Sequence, residues 1–293
     1  MLKQISLSIA AAALLTISCS VKEDRINCNF PVPVHVNLGN FGISEEEFTS
    51  KAVQDIGDYG KIKAVTLAFY HSDGVTRTYC ETQLKADAST YETFGAFDLE
   101  LPVGTYTLIA LAYGSDNPVL FNSLTEVCFD EEKSRETFCY VQNVTVAEST
   151  PLDITATLNR ISTRLDLRST DTRPAEVKTI RISFSKGGKE FNPLTAFTTS
   201  DSGFSSEVIP STAVDESTLS TVHFFLNGNE ETMDVTIETL DEDGSVIHSR
   251  TATGVPFKPN RVTVLRGPLY VFGSAGGTLT AETGFLDDLE LTF

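Results

Sequence analysis

The chain has 293 residues and a mass of 31.9 kDa, room for two ordinary domains. With 41% hydrophobic and 21% charged residues it is too apolar for a disordered chain, and a formal charge of −18 opposes both nucleic-acid binding and a basic membrane patch. Tryptophan is absent, Met is scarce at 2 and Phe numbers 19, a mixture that favours strands over a helical bundle.

The first element is an address. Lys3 precedes an apolar run, Ile5 to Ile17, which is shorter than the ~20 residues a bilayer span requires. A basic start and a short apolar stretch read as a secretory leader. It ends Leu14-Leu15-Thr16-Ile17-Ser18-Cys19, and a cysteine directly after a small residue looks like a bacterial lipobox, with Thr16 where a leucine is usual. Residues 1–18 are therefore expected to be a lipoprotein signal peptide. Cys19 is the expected lipidation site, carrying acyl chains such as palmitate that hold the protein to the outer membrane at ~0.8 kcal/mol per buried CH₂. The alternative is an ordinary leader followed by a structural thiol. Residues 19–27, with the charged run Ser20-Val21-Lys22-Glu23-Asp24-Arg25, read as a solvated tether. That run resembles the lysine-plus-acidic signal that sends some lipoproteins to the cell surface.

From Phe30 onward the dominant period is two. Val32, Val34, Val36 and Leu38 alternate, as do Val65, Leu67 and Phe69, then Phe97, Leu99 and Leu101. Leu152, Ile154, Ala156 and Leu158 follow, then Ile180, Ile182 and Phe184, then Met233, Val235 and Ile237. Each set turns one apolar face toward a core. Turn chemistry separates them at Ser72-Asp73-Gly74, Pro102-Val103-Gly104, Lys186-Gly187-Gly188, Asn227-Gly228-Asn229 and Asp241 to Gly244. A short helix is expected from Glu45 to Ile56. The pattern predicts an all-β protein of antiparallel sandwiches. Alternation breaks at Asn159-Arg160 and resumes in a shifted phase at Ile161, Leu165 and Leu167, and such a slip exchanges the buried face. The expected domains are 28–158 and 159–293, joined by a short, stiff connection.

No constellation nominates a reaction. His35, His71, His223 and His248 stand apart, with no HExxH pair or Cys ladder. Gly273-Ser274-Ala275-Gly276-Gly277 lacks the following Lys of a phosphate cradle, and the Asp241 to Gly244 loop lacks the spacing of a calcium hand. No enzyme activity, cofactor or metal is expected. Cys28, Cys80, Cys128 and Cys139 allow two disulfides in an exported chain. Cys128 and Cys139 flank an acidic loop and could bridge a hairpin, worth about 3 kcal/mol, or remain buried thiols.

Two stretches go further. Leu101-Pro102-Val103-Gly104-Thr105-Tyr106-Thr107-Leu108-Ile109-Ala110 resembles the hairpin of transthyretin-like sandwiches: Pro fixes φ, Gly permits reversal, and Tyr packs beside the turn with its hydroxyl outward. Val255-Pro256-Phe257-Lys258-Pro259-Asn260-Arg261 continues through Val262-Thr263-Val264-Leu265-Arg266-Gly267-Pro268-Leu269-Tyr270. Together with Cys19 to Arg25 and the Leu158 to Leu167 junction, these resemble the fimbrillin superfamily, the lipoprotein pilins and anchors of type V pili.

The resemblance implies two tandem transthyretin-like Greek-key domains and assembly with other pilin subunits by β-strand exchange at the fimbrium. In that family, stalk pilins lose their lipid and first strand to a protease, commonly after Arg, and a neighbour's strand fills the vacated groove. Main-chain bonds and alternating side chains both contribute, and four buried apolar side chains give roughly 6–12 kcal/mol gross. Here no arginine follows Arg25 until Arg77, leaving Lys51, Lys61 and Lys63 as possible processing points. The expectation is a retained first strand (Val32, Val34, Val36, Leu38) and a lipid-retaining anchor or accessory subunit, rather than a released stalk or tip pilin. The candidate donor strand is the tail, Leu286, Leu289, Leu291 and Phe293, which could instead pair within its own domain. The rival from another class is a surface glycan-binding lipoprotein, which the absence of Trp and a count of only 8 Tyr disfavour.

Overall fold

The computed structural model describes residues 31–42, 56–57, 59–130, 133–210, 213–214, 217–270 and 280–282. Every regular element among them is a β-strand. The expected leader, Cys19, the tether, Cys28, Lys51 and tail residues Leu286 to Phe293 lie outside these residues. So does the expected helix, apart from Ile56, which stands in a turn.

The first half contributes β1 (Val32–Gly42), β2 (Ala64–His71), β3 (Arg77–Leu84), β4 (Ala96–Leu101), β5 (Gly104–Tyr113), β6 (Val119–Ser123), β7 (Glu126–Phe129), β8 (Thr137–Val146) and β9 (Leu152–Arg160). Seven of these form one sheet in the order β3-β2-β5-β8-β9-β1-β4. Strands β8 and β9 pair only at Phe138–Arg160 and Cys139–Asn159, so the sheet parts beyond that corner and closes over itself as a sandwich. Side chains from both leaves meet in one core, with Val36, Leu38, Leu67, Phe69, Leu108 and Leu158 all buried.

The second half contributes β10 (Thr163–Thr172), β11 (Thr179–Phe184), β12 (Phe204–Val208), β13 (Ser217–Phe224), β14 (Glu231–Leu240), β15 (Val246–Phe257), β16 (Val262–Gly267) and β17 (Thr280–Glu282). Its sheets run β13-β10-β16-β17 and β12-β11-β14-β15. Equating β10, β13 and β16 with β1, β4 and β9, and β11, β12, β14 and β15 with β2, β3, β5 and β8, reproduces each pairing outside the β8–β9 corner. The parallel β1–β9 pair returns as the parallel β10–β16 pair. The protein is thus an all-β fold built on one sandwich topology used twice. Two additions break the repeat: the β6–β7 hairpin in the first sandwich and β17 in the second.

Alternation survives in β9, β13 and β14, each with one wet face. Strand β2 departs from it, because its first seven residues are all buried. Val65, Leu67 and Phe69 enter the sandwich core, while Ala64, Ala68 and Tyr70 enter a second apolar layer. That layer is covered by Val119, Val127 and Phe129 of the hairpin and by Phe191 and Phe225 from the second half. Val127 and Phe191 exchange backbone hydrogen bonds of 2.9 Å, and the Phe191 and Phe225 rings lie 4.5 Å apart. Only Ile161 and Ser162 separate β9 from β10, and both are buried.

Candidate functional site

Strand β1 carries the residues Val32, Val34, Val36 and Leu38 that the sequence singles out as the first strand. It lies inside its leaf, antiparallel to β4 and parallel to β9. Val34 stands opposite Leu99 on one side and Leu152 on the other. Val32, Val34, Val36 and Leu38 are 4%, 2%, 0% and 0% exposed, so the expected inward face is the inward face observed. On the wet face His35 Nδ1 lies 2.6 Å from Asp98 Oδ1, a pair set directly opposite by the register.

The far end of β1 is held by a device that alternation does not announce. Leu38 N–H donates to the Gly95 carbonyl at 2.9 Å. Gly95 has φ +90°, and a Cβ there would meet Ile56 Cγ2 at 3.1 Å, so a side chain is excluded by both backbone and space. Buried Gln83 clamps this turn from β3, accepting from Gly95 N–H at 2.8 Å and donating from Nε2 to the Ala96 carbonyl at 2.7 Å. The seat of β1 is therefore built by β3, β4 and β9 together.

The Pro-x-Gly-x-Tyr turn works more tightly than its sequence suggests. Tyr106 is buried edge-on against Phe69, and its hydroxyl donates to the Pro102 carbonyl at 2.9 Å rather than pointing outward to water. A Cβ at Gly104 would approach that hydroxyl to 3.3 Å, which explains the glycine.

The motif residues of the junction are also accounted for. Arg160 reaches Glu136 at 2.8 Å, Tyr59 Oη at 3.2 Å and Asn260 Oδ1 at 2.9 Å. Asn260 takes φ 56°, a left-handed conformation that asparagine tolerates, and donates its N–H to the Ser162 carbonyl at 3.0 Å. Asp166 is held by Arg164 at 3.0 Å and Thr221 at 3.0 Å. Asp171 accepts from the Leu269 and Tyr270 amides at 2.7 Å each, and Tyr270 Oη meets Thr218 Oγ1 at 2.5 Å, which fixes the chain just before residue 271.

Of the two readings of Cys128 and Cys139, bridge or thiols, the structure has the second: both are free, Cys139 buried and Cys128 half-buried. The register explains why: Cys128 pairs with Leu120 in the β6–β7 hairpin, whereas Cys139 pairs with Leu111 in the main sheet. They do not face each other across one hairpin. Cys139 points into the apolar layer, where burial pushes its thiol up to about 12. Of the candidate processing lysines, Lys61 is exposed in a turn before β2. Lys63 has its N–H on the Tyr113 carbonyl and its own carbonyl on Lys85 N–H, a poor substrate for a protease that needs a loose, extended peptide. Among the described residues no three of His, Cys, Asp or Glu gather to hold a metal ion.

Fold and site together define a two-sandwich β-protein with an interior first strand. The chain belongs to DUF6562, a family of unknown function, whose pattern matches residues 28–291. Among solved structures, a candidate adhesin from Bacteroides ovatus is 13% identical with a TM-score of 0.50, over 87% of this chain and 94% of that one. A candidate adhesin from Bacteroides ovatus ATCC 8483 is 12% identical with a TM-score of 0.50, over 76% and 83%. The fimbrial anchor protein Mfa2 of Porphyromonas gingivalis is 10% identical with a TM-score of 0.45, over 80% and 90%. At these identities the likeness is one of fold. No curated protein matches the sequence.

Proposed function

We propose that this chain is a non-catalytic subunit of a cell-surface fimbrial assembly, kept on the outer membrane by acyl chains on Cys19 and joined to like subunits by β-strand addition. One observation carries the reading: β1 is seated between two strands with its four apolar side chains buried. A subunit that surrendered β1 would expose this face and two backbone edges, and would need a donor at once. The first arginine after Arg25 is Arg77, which opens β3, so an arginine-specific cut cannot free β1 without destroying the sheet. That combination favours an anchor or accessory subunit over a polymerising stalk. The adhesin descriptions of two similar structures agree with a cell-surface role.

Intact-mass spectrometry of the native protein tests the proposal. The expected mature chain starts at an acylated Cys19 and contains β1. A lipid-free chain beginning after Lys51 or Lys61 would make it a released pilin instead.

A further inference from the structure

The second sandwich closes its flank where the first does not. There β17 lies along the edge of β16 that faces away from β10. In the first sandwich the matching edge belongs to β9, and β8 meets it only at Phe138–Arg160 and Cys139–Asn159. Beyond that corner the two leaves part, leaving a cleft of about 310 Å³ between β8 and β9. That volume is at the small end of the ~300–1,000 Å³ typical of ligand sites, the room of one or two sugar-sized rings.

Two kinds of side chain line it. Val144 and Ile154, both buried, and half-buried Tyr140 and Leu152 belong to the sandwich core and form the inner wall. Exposed Gln142, Asn143, Asp153 and Thr155 form the rim. The rim amides are oriented by the protein itself. Tyr140 donates its hydroxyl to Gln142 Oε1 at 2.8 Å, so Gln142 commits its oxygen and offers its nitrogen. Thr107 Oγ1 lies 3.2 Å from Asn143 Oδ1 and donates to it, which sets the Asn143 amide the same way. Asp153 supplies acceptor oxygens. Donors and an acceptor thus stand together above an apolar wall that contains one aromatic ring.

We infer that this β8–β9 cleft binds an uncharged sugar, one or two rings of a neutral glycan. A sugar ring has an apolar C–H face, which suits Tyr140, Val144 and Ile154, and an edge of hydroxyls that both donate and accept, which suits amide N–H groups beside a carboxylate. Charge selects within that class. Among the described residues no Lys or Arg lines the cleft, Asp153 lies on its rim and the chain carries −18, so the carboxylate of a uronate or a sialic acid is repelled. The lack of tryptophan counts against a broad stacking platform, but a cleft this small needs a single ring, and Tyr140 supplies it. The same rim makes the cleft a poor seat for an apolar strand, which would cover Gln142 and Asp153 without pairing them. The inference goes beyond the proposed joining of subunits and does not depend on it.

Saturation-transfer NMR on the full chain tests it, with lactose, maltose and N,N′-diacetylchitobiose as neutral probes and digalacturonic acid as the acidic one. At least one neutral disaccharide should receive saturation, and digalacturonic acid should receive none. Amide shifts on binding should concentrate at residues 152–155. Gln142→Ala combined with Asp153→Ala, both at exposed positions, should lower the transfer about fivefold or more. Tyr140→Leu, which keeps apolar bulk against the core and removes the ring, should lower it as well. No transfer to any neutral probe overturns the inference. Transfer that survives these substitutions overturns it too, because the sugar would then sit elsewhere, and so does equal transfer to digalacturonic acid. Slow amide exchange along the β9 edge of the sugar-free chain would overturn the cleft itself, since a segment of the chain would then fill it. None of these outcomes touches the fimbrial reading, which rests on β1 and is tested by the mature mass.

Discussion

Gln83 holds its turn with both ends of its amide, one on Gly95 N–H and one on the Ala96 carbonyl, in a site only 3% exposed. Gln83→Leu keeps the volume but leaves two buried backbone groups unpaired, at about 1–3 kcal/mol each. Urea unfolding should show a lower midpoint with an unchanged slope. Nothing in the sequence marks this residue, because a glutamine in an otherwise polar strand reads as solvated, and its partners lie 12 and 13 positions away. Cys139 is a second case. Burial raises its thiol to about 12, so it stays protonated at pH 8, and burial blocks access as well. Thiol titration of the folded chain at pH 8 should label exposed Cys80 and spare Cys139 until denaturant is added. Asp73 titrates in the opposite sense. Its carboxylate accepts from the Val75 and Thr76 amides and from the Thr76 hydroxyl, which holds it down at about 2 against an ordinary 3.8. Its contribution to the β2–β3 turn is therefore full above the unfolded value and is lost as pH falls through about 2. A carbon-detected NMR titration should place the Asp73 midpoint there.

At the scale of the element, β1 tests what alternation encodes. Its inward set follows directly from a period of two, and so do those of β9 and β14. Its central position and its parallel pairing with β9 were not legible, because both depend on a strand more than a hundred residues later and no local pattern names a partner. Strand β2 shows the reverse: its alternation is real on one face, but the other face is buried by a hairpin and two phenylalanines that the sequence does not place beside it. The two faces of β1 should respond differently to substitution. Leu38→Ala opens a hole beside Gly95 and Ile56 and should cost about 2–5 kcal/mol. His35→Ala removes a solvent-exposed pair with Asp98 and should stay within about 1 kcal/mol. Paired thermal melts distinguish them. A small loss for Leu38→Ala would mean that β1 leaves its seat readily, contrary to the proposal that the strand is retained.

At the scale of the molecule, the two sandwiches share more than the Ile161–Ser162 link. The apolar layer behind β2 and β5 takes Phe191 and Phe225 from the second half, and Arg160 ties Glu136 and Tyr59 to Asn260. A chain joined only at the link would bend between its sandwiches, whereas a buried layer of this kind makes them melt together. The wild-type protein should show one calorimetric transition. Phe225→Ala, at a fully buried site, should cost about 3–5 kcal/mol and also uncouple the halves, so the endotherm splits in two. Phe257→Ala removes a ring of similar burial from the second core alone. It should lower the melting temperature while leaving a single transition, since the shared layer stays intact. If both variants melt in one step, the coupling resides in the junction network, and Arg160→Ala should then split the transition instead. In the proposed membrane-anchored subunit, that coupling would let a pull on one sandwich be resisted by the core of the other.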